Sequence, residues 1–298
     1  LRKMLRIIIK AVLTVTVATG ILLGATHYST LPVTQPSITG TALEREETSA
    51  SMNFSSEEVK VIILVDNERY VKGLRTAWGI AMYVETPYAR FLFDTGPDPT
   101  VLKYNAGKLG VNLSNIDFVV ISHCHGDHVG GLPLIAKLRP GTRVYVPQHS
   151  GLQSYVRSLG LTPIPINETT EVAPGVWVLR PLYGPPWEEG VAIATRLGLV
   201  VLVGCSHPGV DVIVDEAVHD LHTRKVYAVI GGFHLMGAPR NVIAEEMDFL
   251  ASLGVVKVYP LHCSGDEVKE YLRSKYPSML GAGGVGLELT FPASLGCG

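Results

Sequence analysis

Between Ser122 and Gly131 the chain reads Ser-His-Cys-His-Gly-Asp-His-Val-Gly-Gly, so His123, His125, Asp127 and His128 fall within six consecutive positions. The apolar run just before it, Phe118-Val119-Val120-Ile121, reads as a buried strand. Alternate side chains of an extended segment share a face, so His123 and His125 can converge on one ion. A turn at Gly126 then lets Asp127 and His128 face a second ion beside the first. Imidazole and carboxylate together suit zinc, iron or manganese. A polar loop whose histidines merely cap the next helix is the competing explanation, and it gives no reason for so dense a cluster. The run predicts a metal site, binuclear by its donor count.

Elsewhere the pattern alternates short apolar runs with turn residues and helical stretches. Strands are expected at 59–65, 80–85, 90–93, 118–121, 143–146, 176–179, 191–195, 199–203, 226–230, 255–259 and 287–291. Helices are expected at 99–109, 132–138, 151–159, 211–222, 242–253 and 267–275. Hairpins in the first part and strand–helix alternation in the second predict two mixed sheets with helices outside. The other notable histidines again follow strand ends: His207 after Val203, His234 after Ile230 and His262 after Tyr259. Loops leaving strand ends on one edge are where a rigid scaffold gathers distant residues. Such long-range collection separates this pattern from a local finger-type metal site.

The spacing His-x-His-x-Asp-His at a strand end resembles the signature of the metallo-β-lactamase fold superfamily. Phe91-Leu92-Phe93-Asp94-Thr95-Gly96 is similar to that family's strand ending in Asp-Thr-Gly. Gly204-Cys205-Ser206-His207-Pro208-Gly209, Gly231-Gly232-Phe233-His234-Leu235 and Pro260-Leu261-His262-Cys263-Ser264-Gly265 resemble a branch related to dihydropterin–ribofuranosylaminobenzene phosphate synthases. The resemblance extends from about Val59 to Phe291. It implies an α/β fold: a four-layer αββα sandwich of two mixed sheets with outer helices. It also implies an enzyme that holds one or two divalent metal ions, zinc first, with iron or manganese as alternatives.

On this reading His123, His125 and His207 hold the first ion, and Asp127, His128 and His262 the second. Asp127 and His234 are the candidate catalytic groups, and His234 could instead contact a substrate phosphate or replace His262. Asp94 is expected to orient a ligand histidine by accepting its other N–H. The chain departs from the family pattern at Cys205, which stands where a bridging aspartate is usual. His207 is correspondingly displaced, since no histidine occurs between Pro181 and Trp187. Cys205 is either a thiolate ligand or a small packed residue, and packing is the commoner state for a buried cysteine. Gly184 to Trp187, with Glu188 and Glu189, reads as an exposed loop near the site mouth, placed to act as a lid. Lys72, Arg75 and Arg240 are basic residues able to hold a phosphate.

At 298 residues and 47% hydrophobic content the chain can bury a large core. A net charge of −2 supplies no global field for nucleic acid, so the expected partner is a small-molecule substrate, and oligomeric state is left open. Four cysteines are too few for a disulfide scaffold, and Cys124, Cys205 and Cys263 lie within two residues of a motif histidine. Residues 1–26 place Arg2, Lys3, Arg6 and Lys10 before the uncharged run Ala11 to Ala25, which reads as a signal peptide or signal-anchor helix. Residues 27–56 read as a flexible linker, and residues 57–298 as the catalytic domain. Export or membrane anchoring follows, with a cytoplasmic protein as the alternative if the start site is misassigned. The expected function is a hydrolase or synthase-like transferase acting on a phosphorylated or ester substrate through metal-bound water or metal-polarised phosphate. A non-catalytic sensor or scaffold keeping the fold is the alternative.

Overall fold

The computed structural model describes residues 57–294. The expected signal or anchor segment and the linker lie outside the described residues. No helix among the described residues is long and apolar enough to cross a membrane.

Among the described residues fifteen strands follow in chain order: β1 Glu58–Val65, β2 Ala81–Glu85, β3 Arg90–Phe93, β4 Phe118–Val120, β5 Arg143–Pro147, β6 Thr162–Ile166, β7 Thr170–Ala173, β8 Val176–Val178, β9 Leu182–Tyr183, β10 Trp187–Glu188, β11 Val191–Thr195, β12 Gly198–Val203, β13 Val226–Gly232, β14 Lys257–Leu261 and β15 Glu288–Pro292. The α-helices are α1 Pro99–Lys108, α2 Gly126–Val129, α3 Leu132–Leu138, α4 Leu152–Ser158, α5 Val210–Asp220, α6 Arg240–Ser252 and α7 Asp266–Lys275. The first sheet has the order β15-β1-β2-β3-β4-β5-β6 and the second β14-β13-β12-β11-β8-β7, while β9 and β10 form a separate hairpin.

Strands buried on both faces read as unbroken apolar runs, which is why β1 (EVKVIILV) and β12 (GLVVLV) lack polar alternation. Period-two geometry then divides each strand between two cores. Val59, Val61 and Ile63 of β1, Phe91 and Phe93 of β3, and Val200 and Leu202 of β12 meet between the sheets. Ile62, Leu64, Leu92 and Val119 face outward onto Leu102, Leu132, Ile135 and Val156 from α1, α3 and α4. Val201, Val203, Val229 and Val258 face the other way onto Ile213, Ile243, Met247 and Leu272 of α5, α6 and α7. The layers are therefore helix, sheet, sheet, helix, as the resemblance implies.

Strands β6, β7, β9 and β10 lie outside the expected set. Pro163 and Pro165 conceal β6, since proline has no N–H for a ladder; the strand is tolerated because it forms an edge of the first sheet. Strand β14 begins and ends two residues later than expected, carrying the chain through Pro260 to Leu261.

Direction decides where the site forms. Strands β1 and β3 each run antiparallel to β2, and β4 runs parallel to β3, so all three finish at one edge. In the second sheet β12, β13 and β14 are mutually parallel and likewise finish together.

Phe118 stacks on Phe91 at 4.9 Å between ring centroids and meets Tyr145 edge-on at 5.3 Å, at the centre of the inter-sheet core. Phe118→Ala should lower unfolding free energy by about 3–5 kcal/mol in denaturant titrations. Tyr88→Ala, at a 49% exposed position, should cost far less. Equal losses would contradict this placement of the core.

Candidate metal centre

The motif loop leaves β4 in extended form and turns at α2, a single helical turn entered from His125. Here His123 Nε2 lies 3.0 Å from His125 Nδ1. His207, arriving from the end of β12, brings its ring centroid to 4.8 Å from that of His123 and 5.0 Å from that of His125. The donor atoms of His123, His125 and His207 all lie within 4.8 Å of one another, as do those of Asp127, His128 and His262. Both sequence-predicted triads are thus brought together, from chain positions spanning both sheets. A further group, His123, His128 and Cys205, meets the same limit, with Cys205 Sγ 3.3 Å from His128 Nε2.

Asp94, directly after β3, is wholly buried. Its Oδ2 lies 2.6 Å from His128 Nδ1, so the imidazole donates there and presents Nε2 toward Asp127 and Cys205. Asp94 also accepts the Ser122 backbone N–H at 2.8 Å and the Ser122 hydroxyl at 2.7 Å. The Ser122 hydroxyl sits 2.9 Å from His123 Nδ1. Thr95, next in the same motif, donates both its N–H and its hydroxyl to the His128 carbonyl.

Sequence reasoning missed three supporting residues. Asp66 and Asn67 follow β1: Asp66 accepts the His262 N–H at 2.7 Å, and Asn67 Oδ1 lies 3.0 Å from His262 Nδ1. Their position just past an apolar strand is the same signal that marked the histidines. Glu188 is the third, and there the lid reading is corrected. Glu188 and Glu189 are 0% and 1% exposed rather than loop residues in solvent. The Glu188 carboxylate accepts the backbone N–H groups of Cys205, Ser206 and His207 at 2.7–2.8 Å. Three charge-assisted bonds to one carboxylate fix the loop that carries His207. The hairpin is seated as well: a Cβ at Gly184 would lie 2.2 Å from the Pro208 nitrogen, so only glycine lets it pack there.

Arg75 lies over the Tyr104 ring at 4.0 Å and Arg240 over the Tyr271 ring at 5.8 Å. Trp78 is 52% exposed and lies against the His262 ring at 4.9 Å. His234 is exposed, with its ring 4.4 Å from that of His207.

Local electrostatics suit cation binding. Burial, then the neighbouring His128, His207 and His125, hold His123 well below the usual imidazole range. Burial and His234 bring His207 down to about 4. Burial works against the charged form of His128, yet the Asp94 carboxylate overrides it and raises the group. Burial likewise pushes Asp127 up, but the adjacent His262 imidazole and the charge of His128 outweigh it and bring the carboxyl to about 2. Four of the five non-glycine residues with positive φ among the described residues, Asp94, Ser206, His234 and His262, stand on these loops. Such backbone strain persists where surrounding contacts over-determine it.

A divalent ion fits this donor set. His207 Nε2 and His262 Nε2 are buried without a hydrogen-bond partner, a costly state for a polar atom unless something ligates it. One orphan belongs to each triad.

Neither carboxyl oxygen of Glu189 has a hydrogen-bond partner, and burial, then the Asp94 charge, raises its pKa well above the ordinary value. The folded protein therefore keeps this proton when the unfolded chain, near pKa 4.3, has released it. Stability from Glu189 is full below that unfolded pKa and declines as pH rises toward the folded one. Glu189→Gln should raise the melting temperature relative to wild type more at about pH 8 than at about pH 5. An identical shift at both would contradict a protonated Glu189.

The metallo-beta-lactamase superfamily profile matches residues 80–221, which include the His-x-His-x-Asp-His loop, Glu188 and His207. The 7,8-dihydropterin-6-methyl-4-(beta-D-ribofuranosyl)-aminobenzene-5'-phosphate synthase of Methanocaldococcus jannaschii is 28% identical over 233 residues, covering 63% of this chain and 79% of that protein. Among solved structures, Tm1679, a metal-dependent hydrolase of the beta-lactamase superfamily, is similar with a TM-score of 0.68 at 25% identity, covering 78% of this chain and 98% of that one. The metallo-beta-lactamase fold protein YhfI from Bacillus subtilis has a TM-score of 0.59 at 11% identity over 78% and 99% of the two chains, a likeness of fold alone. Its strand order, its buried motif aspartate and its two converging triads give the chain the fold of the metallo-beta-lactamase superfamily, whose family model it matches over residues 80–221.

Proposed function

We propose that this chain is a metal-dependent enzyme acting on a phosphorylated small molecule that carries a planar ring, cleaving a bond to a phosphate-bearing group. The observation that carries the proposal is the pair of three-donor triads, each with one buried imidazole nitrogen lacking a partner. His123, His125 and His207 would hold one ion, and Asp127, His128 and His262 the other. When bound, such ions polarise a phosphoryl or ester oxygen and activate the attacking group.

The chain's own residues supply positioning and proton handling. Asp94 fixes the His128 tautomer through Nδ1, Asn67 Oδ1 does the same for the His262 ring, and Asp66 holds the His262 backbone N–H. Asp127 Oδ2, 3.3 Å from His262 Nε2, is ionised at neutral pH and can accept a proton from the incoming nucleophile. Trp78 forms an exposed aromatic wall over His262. Tyr183 and Trp187, with ring centroids 5.3 Å apart, form another on the hairpin packed against His207 and Pro208. Two aromatic walls flanking an anion-attracting centre suit a planar ring bearing a phosphate. The curated relative's name, a synthase of a dihydropterin–ribofuranosylaminobenzene phosphate, specifies that kind of molecule. Hydrolysis and synthase-like transfer then differ in whether water or a second substrate attacks. His234 stands in another set of contacts: its backbone N–H donates to Cys263 Sγ at 3.3 Å.

Chelator treatment should abolish phosphoester cleavage or pyrophosphate release, and a divalent transition metal should restore it. Asp94→Asn should weaken metal affinity by about 10–100-fold while leaving the fold intact, since it acts by orienting a ligand. Asp127→Asn should lower kcat by about 100-fold or more. Turnover indifferent to chelation would contradict the proposal.

A further inference from the structure

Cys205, His234 and Cys263 remain after the two triads are assigned, and they converge. Their donor atoms all lie within 4.8 Å of one another. The convergence follows from topology: the three residues leave the ends of β12, β13 and β14, adjacent parallel strands. The middle strand contributes Gly232 between the two cysteines. A Cβ there would lie 2.8 Å from Cys263 Sγ and 3.4 Å from the Cys205 Cα, so the absence of a side chain lets the thiols approach. Both thiols are buried and free, and the His234 imidazole stands exposed at the mouth.

We propose that Cys205, Cys263 and His234 form a thiophilic cation site of their own, taking a single zinc or cadmium ion beside the histidine–aspartate centre. Two thiolates and one imidazole are a soft donor set, which selects thiophilic cations over magnesium or calcium. Ligand bonds of about 2.0–2.3 Å bring such atoms to an ion with a modest contraction of the present spacing. Solvent at His234 leaves a fourth position open. Binding releases the protons of both thiols to solvent as the two sulfur–metal bonds form. Cys205 also lies 3.3 Å from His128 Nε2, so this site borders the second triad through a single sulfur. Cys124 belongs to none of the converging groups and serves as the internal control.

The test is a cadmium titration of the reduced, metal-free full chain, followed by the near-ultraviolet sulfur-to-metal charge-transfer band. Wild type should develop a band that saturates with one cation, and the same cation should protect two thiols from a disulfide reagent. Cys263→Ser should lose at least half of the band, His234→Ala should raise the half-saturating cadmium concentration by about tenfold or more, and Cys124→Ser should match wild type. A band at full height in Cys263→Ser would overturn the proposal. So would absence of thiol protection in wild type, a readout that needs no variant to fold, or a Cys205–Cys263 disulfide forming in preference to cation uptake. His123→Ala combined with His125→Ala separates the two sites: the thiolate band should survive while other metal is lost, so failure of the histidine–aspartate centre reads differently from failure here.

Discussion

Asp94 is the interaction on which the centre depends. One buried carboxylate accepts the Ser122 N–H, the Ser122 hydroxyl and the His128 imidazole, all between 2.6 and 2.8 Å. A buried charge is tolerable only when its oxygens are this fully engaged. Those bonds tie the end of β3 to the end of β4, and through Ser122 they also reach His123. Both triads therefore take their orientation from a residue that belongs to neither. Asp94 itself adopts φ 58, a conformation that costs a non-glycine residue energy and is held by the same bonds.

Glu188 plays the corresponding part in the second sheet. Its carboxylate gathers three successive N–H groups from the loop after β12, where Ser206 also has positive φ. The neighbouring Glu189 N–H donates to the Ser122 carbonyl, which connects this support to the first sheet. Two buried carboxylates thus brace the two halves of one centre, and neither depends on solvent.

Much of this was legible in the sequence because the chemistry sits just past apolar runs. Strands β4, β12, β13 and β14 announce themselves by hydrophobicity, and the histidines that follow them could be grouped before any coordinates. Asp94 was equally legible, as the residue closing an apolar strand. Glu188 was not: it follows Gly-Pro-Pro-Trp, a string that signals a surface turn, and its burial depends on the hairpin packing onto His207 and Pro208. Asp66 and Asn67 were missed although they follow β1, since a lone Asp-Asn pair after a strand reads equally well as a turn. The prolines of β6 hid an edge strand for a similar reason. Local composition reported chain direction well and tertiary contact poorly.

The central claim is that two neighbouring triads each hold a divalent ion. Anomalous-scattering maps from crystals of the metal-loaded protein, collected at the zinc, iron and manganese absorption edges, test it most directly. Two peaks are predicted, one about 2.0–2.3 Å from nitrogens of His123, His125 and His207 and the other at the same range from Asp127, His128 and His262. A loaded crystal with no peak within bonding distance of either triad would contradict it.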